Sequence, residues 1–292
     1  MPASGSVCET ARAKVNLALH VVGRRADGYH LLDSLVAFAS IGDTVTAERR
    51  VDGRVTLTLS GPFADHCPTD SENLILKAEQ AVGALSSTRA SGGVSLHLDK
   101  QLPVASGIGG GSADAAAAIR ALVRLQGLRL NGHVLHKVAT GLGADVPMCL
   151  ESRPLRAQGI GDITTPTPAL PAAGIVLINP GVAVSTPAVF RALKSRENAP
   201  LPDLPACFTD LDALVGWLKD ARNDLEPPAL TIAPSIASVL TVLRGIPECR
   251  FARMSGSGAT CFGLFASEAE AMNAAKAIAT AHPHWWVAPG GI

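Results

Sequence analysis

In "AKVNLALHVVG", residues 13–23, Val15, Leu17, Leu19 and Val21 alternate with Asn16, Ala18 and His20. A period of two predicts a half-buried strand that carries Lys14 and Asn16 on one face. The same alternation in "RVTLTLS" (54–60) and "VSLHLDK" (94–100) predicts two further strands. The second leads into "VASGIGGGSADAAAA", residues 104–118, which places four glycines in five positions ahead of an alanine-rich stretch. There Ile119, Leu122 and Val123 take helical spacing and Gly127 closes the run, so a helix is expected from Ser112 to about Gln126. In "SENLILKA", Ser71 is the expected N-cap of a helix carrying Leu74, Ile75 and Ala78.

Residues 152–174, "SRPLRAQGIGDITTPTPALPAAG", contain four prolines that interrupt strand and helix periodicity alike, and a domain boundary is expected within them. The division adopted is 1–163 and 164–292. Beyond it "GIVLINP" and "ATCFGLF" predict short buried strands, and "DLDALVGWLKDA", "SIASVLTVLRG" and "EAEAMNAAKAIATA" predict helices. A second unit mixing strands and helices follows.

The length of 292 residues agrees with two units. With 47% hydrophobic and 17% charged residues the chain is globular, and 25 basic against 25 acidic residues leave no field to gather nucleic acid or anionic lipid. A small-molecule partner is favoured, with no nucleic acid and no membrane. The six cysteines form no Cys-x-x-Cys pair, so they are read as reduced thiols of a cytoplasmic protein rather than as a zinc site. "MPASGSVCETARAK" lacks the apolar core of a signal peptide, and runs such as "GIVLI" stop well short of the ~20 residues of a membrane span.

Glycines let a backbone approach a ligand closely, and the N–H groups at a helix start attract anions. The loop is neither a Walker A motif, since no Lys-Ser/Thr pair follows it, nor a spaced G-x-G-x-x-G. From the glycines alone, a phosphate cradle and a plain connector stay equally open.

Three separated segments narrow the choice. "PVASGIGGGSADAA" resembles the second motif of the GHMP kinase superfamily, "AKVNLALHVVGRRADGYHLLDSL" its N-terminal motif and "RMSGSGATCFGLF" its C-terminal motif. "DGYH", "GADVP" and "NDLE" are similar to the branch whose acceptor is a cytidine diphosphate derivative of methylerythritol. The resemblance implies an α+β, two-domain GHMP kinase fold: an N-terminal domain like ribosomal protein S5 domain 2 and a ferredoxin-like C-terminal domain, with the site in a cleft between them. It implies transfer of the γ-phosphate of ATP to an alcohol, assisted by Mg²⁺ carried on the nucleotide phosphates, with no side chains named as metal ligands.

Residue by residue, the resemblance implies a nucleotide cradle of Pro103, Val104, Ala105, Ser106, Gly107, Ile108, Gly109, Gly110, Gly111, Ser112 and Ala113, with Asn73 near the adenine. Asp145 would be the general base and Lys14 the cation that steadies the transferring group. Asn16 would orient the acceptor, Tyr29 and Phe190 would flank the cytosine ring, and His30 and Thr186 would lie beside it. Three positions depart from the family pattern: Arg12, Ala113 and Asp162 stand where proline, serine and glutamate are usual. The alternatives are a GHMP kinase with a mevalonate- or homoserine-type acceptor, and a ligand-binding protein that keeps the fold without turnover.

Overall fold

The alternation at residues 15–21 belongs to a strand much longer than the pattern. In the computed structural model, which describes residues 5–85 and 93–292, β1 runs Ser6–Arg24 and β2 His30–Arg50. Residues 1–4, the start of the N-terminal stretch read above, lie outside the described residues. There follow β3 (Val55–Ser60), α1 (Leu74–Gly83), β4 (Gly93–Asp99), α2 (Gly110–Gln126), α3 (Gly132–Leu142) and α4 (Val146–Glu151). Next come β5 (Leu155–Gly159), β6 (Ile163–Pro166), β7 (Gly174–Asn179), α5 (Thr186–Arg191), α6 (Leu211–Asp220), α7 (Glu226–Ile232) and α8 (Ser235–Arg244). The chain closes with β8 (Phe251–Met254), β9 (Cys261–Phe265), α9 (Glu268–Ala281) and β10 (Trp286–Gly291).

Two compact units interleave along the sequence. The first comprises Met1–Ala13, Gly42–Val104 and Gly109–Ser152. Here β4 pairs in parallel with β3 and antiparallel with residues 44–50 of β2. Helix α2 packs on α1 and α4. Its alanines 115 to 118 are fully buried, and such small side chains let neighbouring helices approach closely. Arg120 of α2 donates to Glu9, to the Thr10 carbonyl of β1 and to the Cys149 carbonyl of α4, which fixes α4 in place.

The second unit comprises Lys14–Ile41, Ala105–Ile108 and Arg153–Ile292. Residues 32–36 of β2 pair with β5, which pairs with β6. A second sheet has the order β10-β7-β9-β8 with every pairing antiparallel. Counting its strands in chain order gives 4-1-3-2, with helices between the first two and last two strands, which is the ferredoxin-like arrangement. Helix α9 packs on β7 and β10, and α8 on β8 and β9.

Four local expectations change. From Ala13 to Val21 every residue of β1 is buried, so the strand is covered on both faces rather than half-buried. The proline-rich stretch contains the hairpin β5–β6: Gly159 and Gly161 take φ of +66° and +106° at its turn, and Pro166 is tolerated because β6 is an edge strand. Helix α2 starts at Gly110, two residues before Ser112. The N-cap of α1 is Asn73 and not Ser71: its Oδ1 accepts from the Ile75 N–H.

Candidate active site

Three successive carbonyls of the glycine loop are claimed within the second unit. The Ser106 oxygen accepts from Thr260 N–H at 3.1 Å, the Gly107 oxygen from Ser255 Oγ at 3.1 Å, and the Ile108 oxygen from Lys14 N–H at 2.9 Å. Gly107 has φ +80°, and a Cβ there would lie 2.6 Å from the Ser255 carbonyl oxygen. Both the conformation and the close approach exclude a side chain. The first glycine of the loop therefore serves contact with the "SGSG" turn at 255–258.

The same turn organises β1. Asn16 N–H donates to Ser255 Oγ at 3.0 Å, Asn16 Nδ2 to Ser34 Oγ at 2.7 Å, and Lys14 Nζ to Asn16 Oδ1 at 3.0 Å. The shared strand face expected for Lys14 and Asn16 is thus real, and it is buried: the two are 7% and 4% exposed. Asn223 supports the arrangement from the "NDLE" segment, its Nδ2 donating to the carbonyls of Met254 and Gly256 at 2.8 and 2.9 Å.

In the first unit the remaining glycines open α2. Gly109 is its N-cap with φ +66°, a left-handed conformation that glycine adopts without strain. Gly110 is helical, and its missing side chain has a different reason. A Cβ there would stand 3.1 Å from Lys100 Nζ. Gly111 is exposed, Ser112 half-buried and Ala113 buried. Before the loop, Pro103 is buried and Val104 exposed, while Ala105 takes φ +52°, unusual for a residue with a Cβ.

Asp145 is the N-cap of α4 and makes no side-chain hydrogen bond to that helix, so capping is not what holds its carboxylate there. Asn73, besides capping α1, donates through Nδ2 to the Pro68 carbonyl at 2.7 Å. Its carboxamide is committed to shaping the α1 start.

Beneath α2, Lys100 Nζ lies 2.6 Å from Asp43 Oδ2 and 2.6 Å from Asp114 Oδ2. Burial alone would lower the lysine's pKa, and the two carboxylates outweigh it and raise it. One ammonium cannot neutralise two carboxylates. Burial, with the negative charge of Asp43 adding to it and Lys100 opposing, pushes Asp114 up to about 8. Asp114 Oδ1 is buried without a hydrogen-bond partner. Removing one partner from such a buried cluster typically costs about 3–5 kcal/mol.

On the second unit the His30 ring stacks on Phe190, centroids 4.8 Å apart and planes at 25°. His30 Nε2 is buried without a hydrogen-bond partner. Burial, then the charges of Arg24 and Arg196, lower the histidine's pKa, so the ring is neutral at pH 7. Tyr29 is 61% exposed, and the ring against Phe190 is the histidine's. Thr186, at the start of α5, shares a 2.7 Å hydrogen bond with Ser257 of the "SGSG" turn.

The GHMP kinases N terminal domain model matches residues 73–153, and the GHMP kinases C terminal model matches 204–284. A 4-diphosphocytidyl-2-C-methyl-D-erythritol kinase of Dinoroseobacter shibae is 52% identical over 289 residues, covering 99% of this chain and 96% of that one. This chain belongs to the GHMP kinases. The crystal structure of a 4-(cytidine 5'-diphospho)-2C-methyl-D-erythritol kinase is 35% identical, with a TM-score of 0.79 and 98% of each chain covered. A homoserine kinase from Cytophaga hutchinsonii, 19% identical with a TM-score of 0.68, shares the fold.

Reading motifs one at a time missed several side chains that build this GHMP kinase. Ser255 and Asn223 lay within recognised segments, yet their partners are up to 239 positions away. Arg253 donates to the carbonyls of Leu17, Leu218 and Ala221, and burial pushes its pKa down to about 10. Lys100 carried one signal: a charged residue at the end of an alternating run, a few positions before a glycine motif.

Proposed function

We propose that this chain transfers the γ-phosphoryl group of ATP to the 2-hydroxyl of 4-diphosphocytidyl-2-C-methyl-D-erythritol, a step in making isoprenoid precursors by the non-mevalonate route. The observation that carries the reading is 52% identity, along essentially the whole chain, to a protein of that name. The chemistry of the residues supports it. Phosphoryl transfer asks a protein mainly for positioning and charge stabilisation.

In the proposed reaction Asp145 accepts the proton of the acceptor hydroxyl while that oxygen forms its bond to the γ-phosphorus. The bond from the γ-phosphorus to the β–γ bridging oxygen breaks, and its electron pair leaves on ADP. Lys14 balances charge on the moving group, and Asn16, fixed by Ser34 and Ser255, presents its amide to the acceptor. The N–H groups at the start of α2 receive the phosphates. The orphaned Nε2 of His30 is a ready partner for a polar edge of cytosine, with Phe190 and Tyr29 supplying aromatic surface. Asn73 borders the adenine through the backbone it caps.

Mg²⁺ held on nucleotide phosphates keeps several waters and needs few protein oxygens. Among the described residues no three His, Cys, Asp or Glu side chains gather into a protein-held cage. The ion would travel on the phosphate oxygens and, when bound, neutralise part of their charge. No described helix is long and apolar enough to cross a membrane, and among the described residues none of the six cysteines forms a disulfide. A cytoplasmic location fits both.

The test is incubation with ATP, Mg²⁺ and either the cytidylyl substrate, mevalonate or homoserine, with ADP release as the readout. ADP is expected with the cytidylyl substrate alone. Faster release with mevalonate or homoserine overturns the acceptor assignment, and release with none of the three leaves the fold as a binding protein.

A further inference from the structure

The Lys100 cluster lies outside the groups assigned to the reaction, and its geometry links it to them. The lysine follows β4 directly and is 2% exposed, against carboxylates that are 0% and 6% exposed. None of the three side chains faces solvent, so the cluster is walled off from a ligand and acts through the backbone it holds. That backbone is the loop. Asp43 Oδ1 accepts from the N–H groups of Gln101 and Leu102 at 2.6 and 2.8 Å, fixing the segment that enters the glycine stretch. Asp114 projects from the first turns of α2, fixing the segment that leaves it. Between them the ammonium lies beneath Gly110, so close that no side chain fits at that position without pressing on it.

We propose that Lys100 is a positioning residue for the nucleotide: by binding Asp43 and Asp114 together beneath Gly110, it sets the direction in which the first-turn N–H groups of α2 meet the phosphates. The reason is geometric. Hydrogen-bond donors at a helix start lose their value to an anion when they are misdirected, since the dipole effect fades within the first turn. A purely structural cluster would stabilise the fold without being placed under this turn. The glycine at 110 then has a purpose of its own, which is to let the helix rest on the ammonium.

This proposal rests on the reading of the loop as the ATP site, and the experiment separates the two. Calorimetric binding of ATP with Mg²⁺, steady-state KM values for ATP and acceptor, and thermal midpoints are measured for the wild type, Lys100→Met, Asp114→Asn and Asp114→Leu. Asp114→Asn keeps an oxygen for the ammonium and is expected to change ATP affinity by less than about threefold. Lys100→Met and Asp114→Leu are expected to weaken ATP binding by roughly tenfold or more, with the acceptor KM at saturating ATP unchanged. Should Lys100→Met fail to fold, the contrast between Asn and Leu at position 114 carries the test. Folded Lys100→Met or Asp114→Leu protein with a lowered thermal midpoint and wild-type ATP affinity overturns the positioning role. A wild type that does not bind ATP overturns the nucleotide reading, and the proposal falls with it.

Discussion

Two parts of the second unit differ in how completely their polar groups are satisfied. Around Asn16, the Ser34, Ser255 and Asn223 side chains all have partners and lie at 7% exposure or below. Around His30, a buried ring nitrogen has no hydrogen-bond partner and the neighbouring Tyr29 is 61% exposed. A satisfied buried network holds one geometry, as chemistry that depends on sub-ångström placement requires. An unsatisfied donor or acceptor beside exposed aromatic surface leaves something for a substrate to complete. In the proposed reaction, rigidity would lie where the acceptor is oriented and incompleteness where its base is recognised.

The largest expected effect is on the base proposed for the reaction. Asp145→Asn is expected to lower kcat by about 10²–10⁴-fold while ATP binding stays near wild type, because the amide keeps the shape and loses the basicity. Retention of more than about a tenth of the wild-type kcat removes Asp145 from the base role, given that minimum.

Asn223→Ala tests the satisfied network. It leaves the Met254 and Gly256 carbonyls buried without their donor. At about 1–3 kcal/mol for a buried group left unpaired, the thermal midpoint should fall by roughly 5 °C or more. An unchanged midpoint would show that the network contributes nothing to stability.

At the incomplete end, Phe190→Ala should reduce kcat/KM for the cytidylyl acceptor by roughly ten- to a hundredfold, with ATP affinity unaffected. Stacking on a base is worth ~1–3 kcal/mol by alanine substitution in single-stranded nucleic acid complexes. Equal use of cytidine and uridine substrates by the wild type would sink the role given to His30.

The remaining effect concerns pH. The Asp114 carboxyl, pushed up to about 8 from 3.8, keeps its proton in the folded chain where the unfolded chain has released it. Between pH 4 and 8 the folded state therefore binds more protons, so this contribution to stability is full below about pH 4 and is lost as pH rises through 8. Thermal midpoints measured from pH 5.5 to 8 should decline less in Asp114→Asn than in the wild type. Identical declines would show that the Asp114 carboxyl does not carry this pH dependence.

Much of the fold could be read wherever one face of an element meets water or a glycine marks its end. Strand β4 alternates half-buried and buried positions, and α2 closes on Gly127, which takes φ +67°. The longest strand escaped notice. In β2, residues 33–39 are all buried, and burial on both faces erases the alternation that betrays a strand. Strand β10 is disguised by Pro289, Gly290 and Gly291, which look like a turn. As an edge strand it tolerates the proline, and Cβ atoms on those glycines would collide with Ser40 and Glu268.

By itself the sequence determined the family, the order of its motifs and the side chains with chemistry to offer, because helix periods, glycine placement and motif residues are local properties of the chain. Only the tertiary structure decided what each glycine is for. Gly107 meets the Ser255 carbonyl and Gly110 meets the Lys100 ammonium, contacts made across 148 and 10 positions that no local rule relates. It also decided that His30 stacks on Phe190, that Asn73 rather than Ser71 caps α1, and that Lys100 is held by two acids. Those choices depend on which groups are brought together out of water, where a polar atom must find a partner or bear the cost of lacking one.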